Sequence, residues 1–460
     1  MGIQTCAIVS LALAGAVASA QPMPIPAEPA VRPTLTANPP VSQPPLDLKS
    51  AIKMAIEHNN TIQSARQKIE QARADTSTTR ALIFPSLNLI GTSEERKGAV
   101  TGGGTAPFDG NPYNQYTAHL KLTQPLLAFG SLAAIRQSDY QIQINEIDAE
   151  MAERDLTVNV IAAFYKVLLN QRLLTILERT QSVVNESLAT TQQRLRTGRG
   201  QLLDLLQAKT QIALLKPKIE DAHNQLESAG AQLASYLAEE GKYELQLRGT
   251  LRGLLLKDVQ KHLNFKAARL PELERVRMQR EQLIEQREVT GGKHLPNVML
   301  LGDYGSSSFT KSDLFSGYNT NWSVMLQLTI PIFSGFQSIY ERRSLGALDR
   351  QIEYQGLELE NKLALAQVQS LKTLQSTGAS LLSAEEAAEL ADQSMVEARR
   401  NYRLSTIDFL QFLTVQQSSL QAGSALETVR YDNVVALSKY FVATGQPLSV
   451  LVDLLQENKK

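Results

Sequence analysis

The chain has 460 residues, with 46 Lys and Arg balanced by 46 Asp and Glu, so its formal net charge is zero. A neutral chain provides no basic face for nucleic acid, and nucleic-acid binding is excluded as an expected function. Aromatic residues make up only 6% of the chain, which suits long helical surfaces better than a large compact core.

The first twenty residues are typical of a secretory signal peptide. The apolar run "CAIVSLALAGAVASA" ends at Ala20 and contains Cys6, the one cysteine of the chain. No Lys or Arg precedes this run, so a short buried helix is the alternative. Cleavage after Ala20 would leave a chain without disulfide, reactive thiol or acyl-anchoring cysteine. Residues 21–45 contain nine of the 18 prolines and are interpreted as an extended linker.

The segment 46–240 is predicted to form a first structural repeat. A helix opens at Asp47, and the strand "LIFPSLNLIGTSEE" follows it. After a glycine-rich loop, "QYTAHLKLTQP" alternates apolar and polar residues as a strand does. Pro125 is expected to end the strand ladder. A long helix then runs from Ser131 to Thr197 without proline or glycine, and the returning helix contains Pro217, which should kink or divide it.

The segment 271–446 repeats this plan after a connector at 241–270, and residues 447–460 form a tail. Pro331 follows the strand "NWSVMLQLTI" and lies 206 residues after Pro125. "YRLSTIDFLQFLTVQ" aligns without gaps to "LRTGRGQLLDLLQAK" at an offset of 207 residues. Landmarks that recur at one offset indicate internal duplication, each unit being helix, strand, loop, strand, long helix and return helix.

Each chain therefore offers four amphipathic strands of the length that crosses a bilayer. Four strands in lipid would leave two unpaired edges, so several chains must close the sheet. Two chains give eight strands and a filled barrel, whereas three give twelve and a lumen. The long helices must then project to one side as a tube. Aromatic side chains are expected at the membrane rims, ordinary strand packing being the alternative: Tyr113, Tyr116, Tyr304, Tyr318 and Trp322.

From about residue 46 to 446 the sequence resembles the TolC-like outer-membrane efflux proteins. The resemblance rests on the paired strand–proline–helix junctions, on "RTGRGQLLDLLQA" and "YRLSTIDFLQFLTVQ" at the helical turns, on "FPSLNL" and "LPNVML", and on the closing "YFVATG". It implies a mainly α protein with a small β part: a homotrimer with a 12-stranded β-barrel, four strands per chain, continuous with a helical coiled-coil barrel. It also implies an outer-membrane location in a Gram-negative bacterium, with the helices in the periplasm.

The resemblance further implies that the helical turns dock onto a periplasmic adaptor protein, which links the channel to an inner-membrane transporter of the RND, ABC or a similar class. Ser405 replaces Gly198 in the second turn, which leaves the geometry of that turn open. Many relatives carry a lipidated cysteine after the signal peptide, and this chain does not.

Charged and polar residues cluster at both turns and are candidates for gating or adaptor docking. Three chains would bring six turns into a ring, where these groups could link neighbouring coiled coils. The alternative is that they only solvate exposed helix ends. The candidates are Arg196, Gly198, Arg199, Leu203, Asp204, Tyr402, Arg403, Ser405, Asp408, Leu410 and Gln411.

The sequence contains no recognisable catalytic or metal-binding pattern. The five histidines are scattered without ligand spacing, and "TGGGT" lies between two strands, so it is a loop rather than a phosphate cradle. We therefore expect no enzyme activity, cofactor or metal. The expected function is a passive exit duct. A periplasmic coiled-coil adaptor or scaffold, and a secreted coiled-coil surface protein, are the alternatives. The cargo stays open.

Overall fold

The computed structural model describes residues 45–97, 112–198, 200–238, 247–263 and 268–456. The predicted signal peptide, nearly all of the linker, most of the first strand-to-strand loop and Arg199 lie outside these ranges. In chain order the elements are α1 (Leu48–His58), α2 (Asn60–Ala81), β1 (Ser86–Arg96), β2 (Tyr113–Leu127), α3 (Phe129–Arg196), α4 (Leu202–Leu237), α5 (Leu256–Gln260), α6 (Pro271–Gly292), β3 (Asn297–Ser308), β4 (Thr320–Thr329), α7 (Gln337–Arg403), α8 (Phe409–Ala443) and α9 (Leu448–Gln456).

The first helical segment begins as expected but is divided at Asn59. Asp47 caps α1 and accepts a hydrogen bond from the backbone N–H of Ser50 at 3.1 Å. Asn59 caps α2 in the same way and accepts from Thr61 N at 2.9 Å, while its amide donates to the carbonyl of Tyr236 at 3.0 Å. The second cap therefore also attaches the junction of α1 and α2 to α4.

The four strands form one antiparallel sheet in the order β1-β2-β3-β4. The prediction that Pro125 ends the ladder is wrong. Pairing with β1 does stop at Thr123, but β2 continues to Leu127 and Pro125 pairs with Met299 of β3, with a register shift between Pro125 and Leu127. Proline is tolerated there because β1 has already ended, so no N–H is required on that side.

Two very long helices start from the same end of this sheet, α3 after β2 and α7 after β4. α3 has 68 residues and α7 has 67, which corresponds to about 100 Å each at 1.5 Å per residue. Each turns back into a shorter antiparallel partner, α4 or α8. Pro217 does not divide α4, which continues through it. Pro217 is exposed, so the carbonyl that its missing N–H leaves free can face water.

The main core lies part of the way along the helices rather than in the sheet. Phe164, Leu168, Leu237 and Phe441 are buried there together with residues of α1 and α9. α3 contains a stretch long and apolar enough to cross a membrane by composition, and 56% of that stretch is buried within the protein, as is usual for a core helix.

The connector packs across the two helical hairpins. Its Gly249 lies against Phe164 of α3, and its Gly253 lies so close to α7 that a Cβ would come within 2.3 Å of Leu381 Cδ2. The backbone N–H of Leu254 donates to Asn433 Oδ1 of α8 at 2.8 Å. The connector thus contacts α3, α7 and α8 at the level of the main core.

Candidate functional site

The two helical turns at the far ends of the hairpins each contain one residue in the left-handed backbone conformation. We call residues 194–206 the first tip and residues 399–411 the second tip. Gly198 has φ +74° and Ser405 has φ +65°, so both lie in the left-handed region. Each follows the end of a long helix and donates its N–H to the residue three before it, Leu195 or Tyr402, at 3.1 Å. The replacement of glycine by serine therefore keeps both the left-handed backbone and the hydrogen bond at this position.

Tyr402 joins the second tip to the first. Its side chain is 3% exposed, and its hydroxyl lies 2.6 Å from Thr191 Oγ1 of α3. The Arg194 guanidinium stacks on its ring, 4.4 Å from the centroid, and donates to the Tyr402 carbonyl. On the other side the ring packs on Phe412 at 4.9 Å and Phe409 at 5.8 Å. Tyr402 thereby holds α3, α7 and α8 together within one chain.

The surroundings of Tyr402 keep its hydroxyl protonated. Burial raises the pKa of Tyr402 above its ordinary value of 10, and the negative charge of Asp204 acts in the same direction. The Thr191 hydrogen bond and the Arg194 charge oppose this effect without reversing it. A raised tyrosine pKa means that the folded tip favours the neutral phenol. The hydroxyl therefore stays protonated at neutral pH, and the contact weakens only as pH rises past 10.

The other predicted tip residues divide into a helix cap and an exposed surface. Asp408 caps α8 by accepting from Gln411 N at 2.7 Å, and the Gln411 side chain accepts from Asp408 N at 3.2 Å, which is a capping box. Asp204 lies half-buried in the first turn of α4. The remaining described candidates, including two leucines about 60% exposed, face outward: Arg196, Leu203, Arg403 and Leu410.

Sequence reasoning missed several residues at the tips. Phe409 and Phe412 form the small core under Tyr402, and their spacing in "DFLQF" is a usable signal for a buried aromatic face. Leu202, Leu206 and Leu404 are more than half exposed beside the predicted leucines. These apolar side chains make both tips candidates for contact with another protein.

The two faces of the sheet differ in chemistry. One face carries an apolar row that runs across all four strands through paired positions, Leu89, Leu120, Tyr304 and Trp322. Trp322 is 74% exposed and Tyr304 is 60% exposed in the single chain. The opposite face, defined by Thr92, Thr117, His119, Lys121, Asp303 and Ser323, is mainly polar. An apolar outer face and a polar inner face are typical of a membrane barrel wall.

The aromatic residues predicted at the membrane rims lie near the loop end of the sheet. Tyr113 packs edge-on against Phe309 at 5.6 Å, and Lys311 lies 5.5 Å from the Tyr116 ring. Tyr304 and Trp322 are cross-strand partners, and Tyr318 belongs to a single turn of 3-10 helix. A second exposed apolar group was missed at the opposite end of the sheet, around the proline junctions: Phe84, Ile332, Phe333 and Phe336.

Both outer strands of the sheet have one edge without a partner in the single chain. Among the residues that the structure describes, β1 pairs only with β2, and β4 pairs only with β3. β4 is exposed along its whole length. Within the described ranges, no three His, Cys, Asp or Glu side chains lie close enough to hold a metal ion.

Taken together, the apolar outer face, the open edges and the long helical hairpins define a TolC-like outer-membrane channel protein. The chain belongs to the outer membrane efflux protein family, whose model matches residues 51–239 and 266–443. The two matched blocks overlap the predicted repeats at 46–240 and 271–446.

Several similar proteins support this assignment. The probable outer membrane lipoprotein SilC of Salmonella typhimurium is 23% identical over 404 residues, covering 85% of this chain and 84% of SilC. The alkaline protease secretion protein AprF of Pseudomonas aeruginosa is 23% identical and covers 86% and 83%. Among solved structures, a membrane protein from Pseudomonas aeruginosa has a TM-score of 0.75 at 21% identity, covering 87% and 90%, and CusC has 0.72 at 18%, covering 90% and 96%.

The predicted fold class, outer-membrane location and channel function are thereby confirmed. The chain is an outer-membrane exit channel for efflux or secretion, and its helices extend into the periplasm. The family consists of channels rather than enzymes. Membership favours this function over the adaptor, scaffold and surface-protein alternatives.

Proposed function

We propose that three copies of the chain form one passive duct across the outer membrane and into the periplasm. The observation that carries the proposal is the four-stranded sheet with two unpaired edges and one apolar face. Unpaired backbone groups in lipid cost several kcal/mol each, so the sheet must close on sister copies. Because each chain supplies four strands, two chains would close a barrel of eight that side chains fill, and three chains give the smallest barrel with a lumen. Residues 46–240 and 271–446 act as two repeats that each add two strands and one hairpin, joined by 241–270.

The partners follow from the position of the tips. The exposed leucines and arginines there form the surface for a periplasmic adaptor, which would link the duct to an RND, ABC or similar inner-membrane transporter. Relatives are named for cation efflux, alkaline protease secretion and toluene efflux. Because these cargoes differ so widely, specificity is assigned to the transporter. The duct itself performs no chemistry and needs no cofactor or metal.

We infer that the Tyr402 contact acts as a latch at the periplasmic end. Thr191 and Arg194 hold the second hairpin against the first, and adaptor docking at the tips would release it. Two-state elements of this kind respond to a partner that binds the released state more tightly. The charges of Asp408 and Arg403 are assigned lesser roles, since Asp408 already caps α8.

The proposal is tested by purifying the mature chain in detergent and measuring its mass and its conductance. The expected result is three times the monomer mass by light scattering, with a heat-sensitive trimer band and discrete channels in planar bilayers. A chain that remains monomeric and water-soluble without detergent contradicts the proposal. A trimer that never conducts, even with its tips released by Thr191→Val, supports assembly but contradicts the duct.

A further inference from the structure

A histidine, an aspartate and a serine form a hydrogen-bonded chain on the polar face of the sheet. His119 Nδ1 of β2 lies 2.5 Å from Asp303 Oδ1 of β3, and His119 Nε2 lies 3.1 Å from Ser307 Oγ. The side chains of His119 and Asp303 are 17% and 26% exposed. These hydrogen bonds connect β2, the second strand of the first repeat, to β3, the first strand of the second repeat.

The backbone of β3 is shaped to receive this histidine. Gly305 pairs with His119, and a Cβ at Gly305 would lie 2.7 Å from both Cα and Cγ of His119 and 2.4 Å from the Ala118 carbonyl oxygen. Any side chain at this position would displace the ring. The imidazole therefore lies flat on the strand, where both of its nitrogens reach β3 partners.

Few charged groups share the face with this cluster. On β2, Lys121 is the register partner of Asp303. On β1, His119 faces Ile90, and Glu94 follows on the same face four residues farther, about 13 Å away along the strand. On β4 the nearest same-face positions are Asn321 and Ser323, which are uncharged.

Histidine is the side chain that ordinarily changes charge between pH 5 and 8. The other four histidines lie on helices or connections outside the sheet: His58, His223, His262 and His294. Among the described residues of the sheet, His119 is thus the one histidine, and it lies on the polar face.

We propose that the His119–Asp303 pair sets the ion selectivity of the barrel lumen and makes it dependent on pH. This inference rests on the proposed function, because the polar face becomes a lumen wall only in a closed barrel. When His119 is neutral, the negative charge of Asp303 is balanced by the positive charge of Lys121, so the ring that these residues form around the lumen has no net charge. Protonation of His119 adds one positive charge per chain, and therefore three around the ring of a trimer. Rings of charged side chains select ions of opposite sign, so acidification shifts the pore toward anions.

The test is the reversal potential of single channels in planar bilayers under a KCl gradient, at pH 8 and pH 5. The wild-type channel is expected to move toward anion selectivity at pH 5. His119→Gln retains hydrogen-bonding groups but cannot be protonated, so this shift should be lost. His294→Gln is the matched control, because His294 lies just before β3 outside the sheet, and its shift should match that of the wild type.

A second variant tests the site even where His119→Gln fails to assemble. Asp303→Asn removes a negative charge, so its selectivity should already be displaced toward anions at pH 8. A wild-type channel without a shift, a full shift in His119→Gln, a lost shift in His294→Gln, or unchanged selectivity in Asp303→Asn each overturns the inference. Absence of conductance in the wild type at both pH values contradicts the proposed duct instead.

Discussion

Tyr402 is the residue whose surroundings are most specific at the periplasmic end. A buried phenol requires a partner for its hydroxyl, and Thr191 provides one at 2.6 Å. Arg194 covers one side of the ring and also binds the backbone carbonyl of the same residue. The contact therefore depends on α3 and α7 meeting in one register, which makes it sensitive to movement of either hairpin.

Removing the hydroxyl of Thr191 should release this contact. Thr191→Val keeps the shape of the side chain and removes the hydrogen bond to Tyr402, worth about 1 kcal/mol per chain, together with the bond that the Thr191 hydroxyl donates to the Ser187 carbonyl within α3. The open fraction of each tip should rise by roughly fivefold, which corresponds to that energy. Single-channel recordings in planar bilayers measure the resulting increase in resting conductance.

Thr190→Val is the matched control for this variant. Its hydroxyl donates only within α3, to the Glu186 carbonyl at 3.1 Å, and does not reach Tyr402. Its resting conductance should remain that of the wild type. Equal conductance for Thr191→Val and the wild type would contradict the proposal that the Tyr402 contact keeps the tips closed.

At the scale of elements, hydrophobic periodicity and the positions of proline and glycine in the sequence identify most helices and strands. Alternation located β2 and β4, and the two proline-free stretches located α3 and α7. The exceptions are local. The N-cap at Asn59 divides a continuous helical pattern, and a proline is tolerated in β2 because one neighbouring strand has already ended. The contact between Thr191 and Tyr402 joins positions 211 residues apart, and only the packing register of two hairpins brings them together.

The left-handed residue in each turn provides a paired test of tip geometry. Serine in this conformation carries steric strain that glycine avoids, so Ser405→Gly should stabilise the second tip by about 1 kcal/mol. Gly198→Ala should destabilise the first tip by a similar amount, because a Cβ there meets nothing within 4 Å and only the backbone cost remains. Amide hydrogen exchange at the two turns measures both effects. Slower exchange in Gly198→Ala would contradict the assigned conformation.

Substitutions of Asp408, the N-cap of α8, can distinguish a structural role of this residue from an electrostatic one. Asparagine is as good an N-cap as aspartate, so Asp408→Asn should leave the start of α8 protected from hydrogen exchange and leave resting conductance unchanged. Asp408→Ala should cost about 1 kcal/mol and speed exchange over the first turn of α8. A rise in conductance in Asp408→Asn alone would instead assign the carboxylate charge to gating.

At the scale of the whole molecule, the long helix of the second hairpin is far less covered than the long helix of the first. α3 buries residues along most of its length, whereas α7 buries only a few and leaves apolar side chains more than half exposed, among them Tyr354, Leu357, Leu365 and Val396. β4 is likewise exposed on both faces. Sister copies that cover α7 and pair with β4 would bury both surfaces at once.

Disulfide cross-linking between the two free edges tests this closure. Within one chain β1 and β4 are separated by two strands, or about 14 Å, which is too far for a disulfide. Leu89→Cys combined in turn with Val324→Cys, Leu326→Cys and Leu328→Cys should therefore yield covalent dimers and trimers on denaturing gels at the position that comes into register. These four positions share the apolar face. Leu89→Cys with Met325→Cys or Gln327→Cys is the control, because those side chains point to the opposite face and should cross-link poorly. Products that remain monomeric for every pair would mean that the edges meet something other than a second copy of this chain.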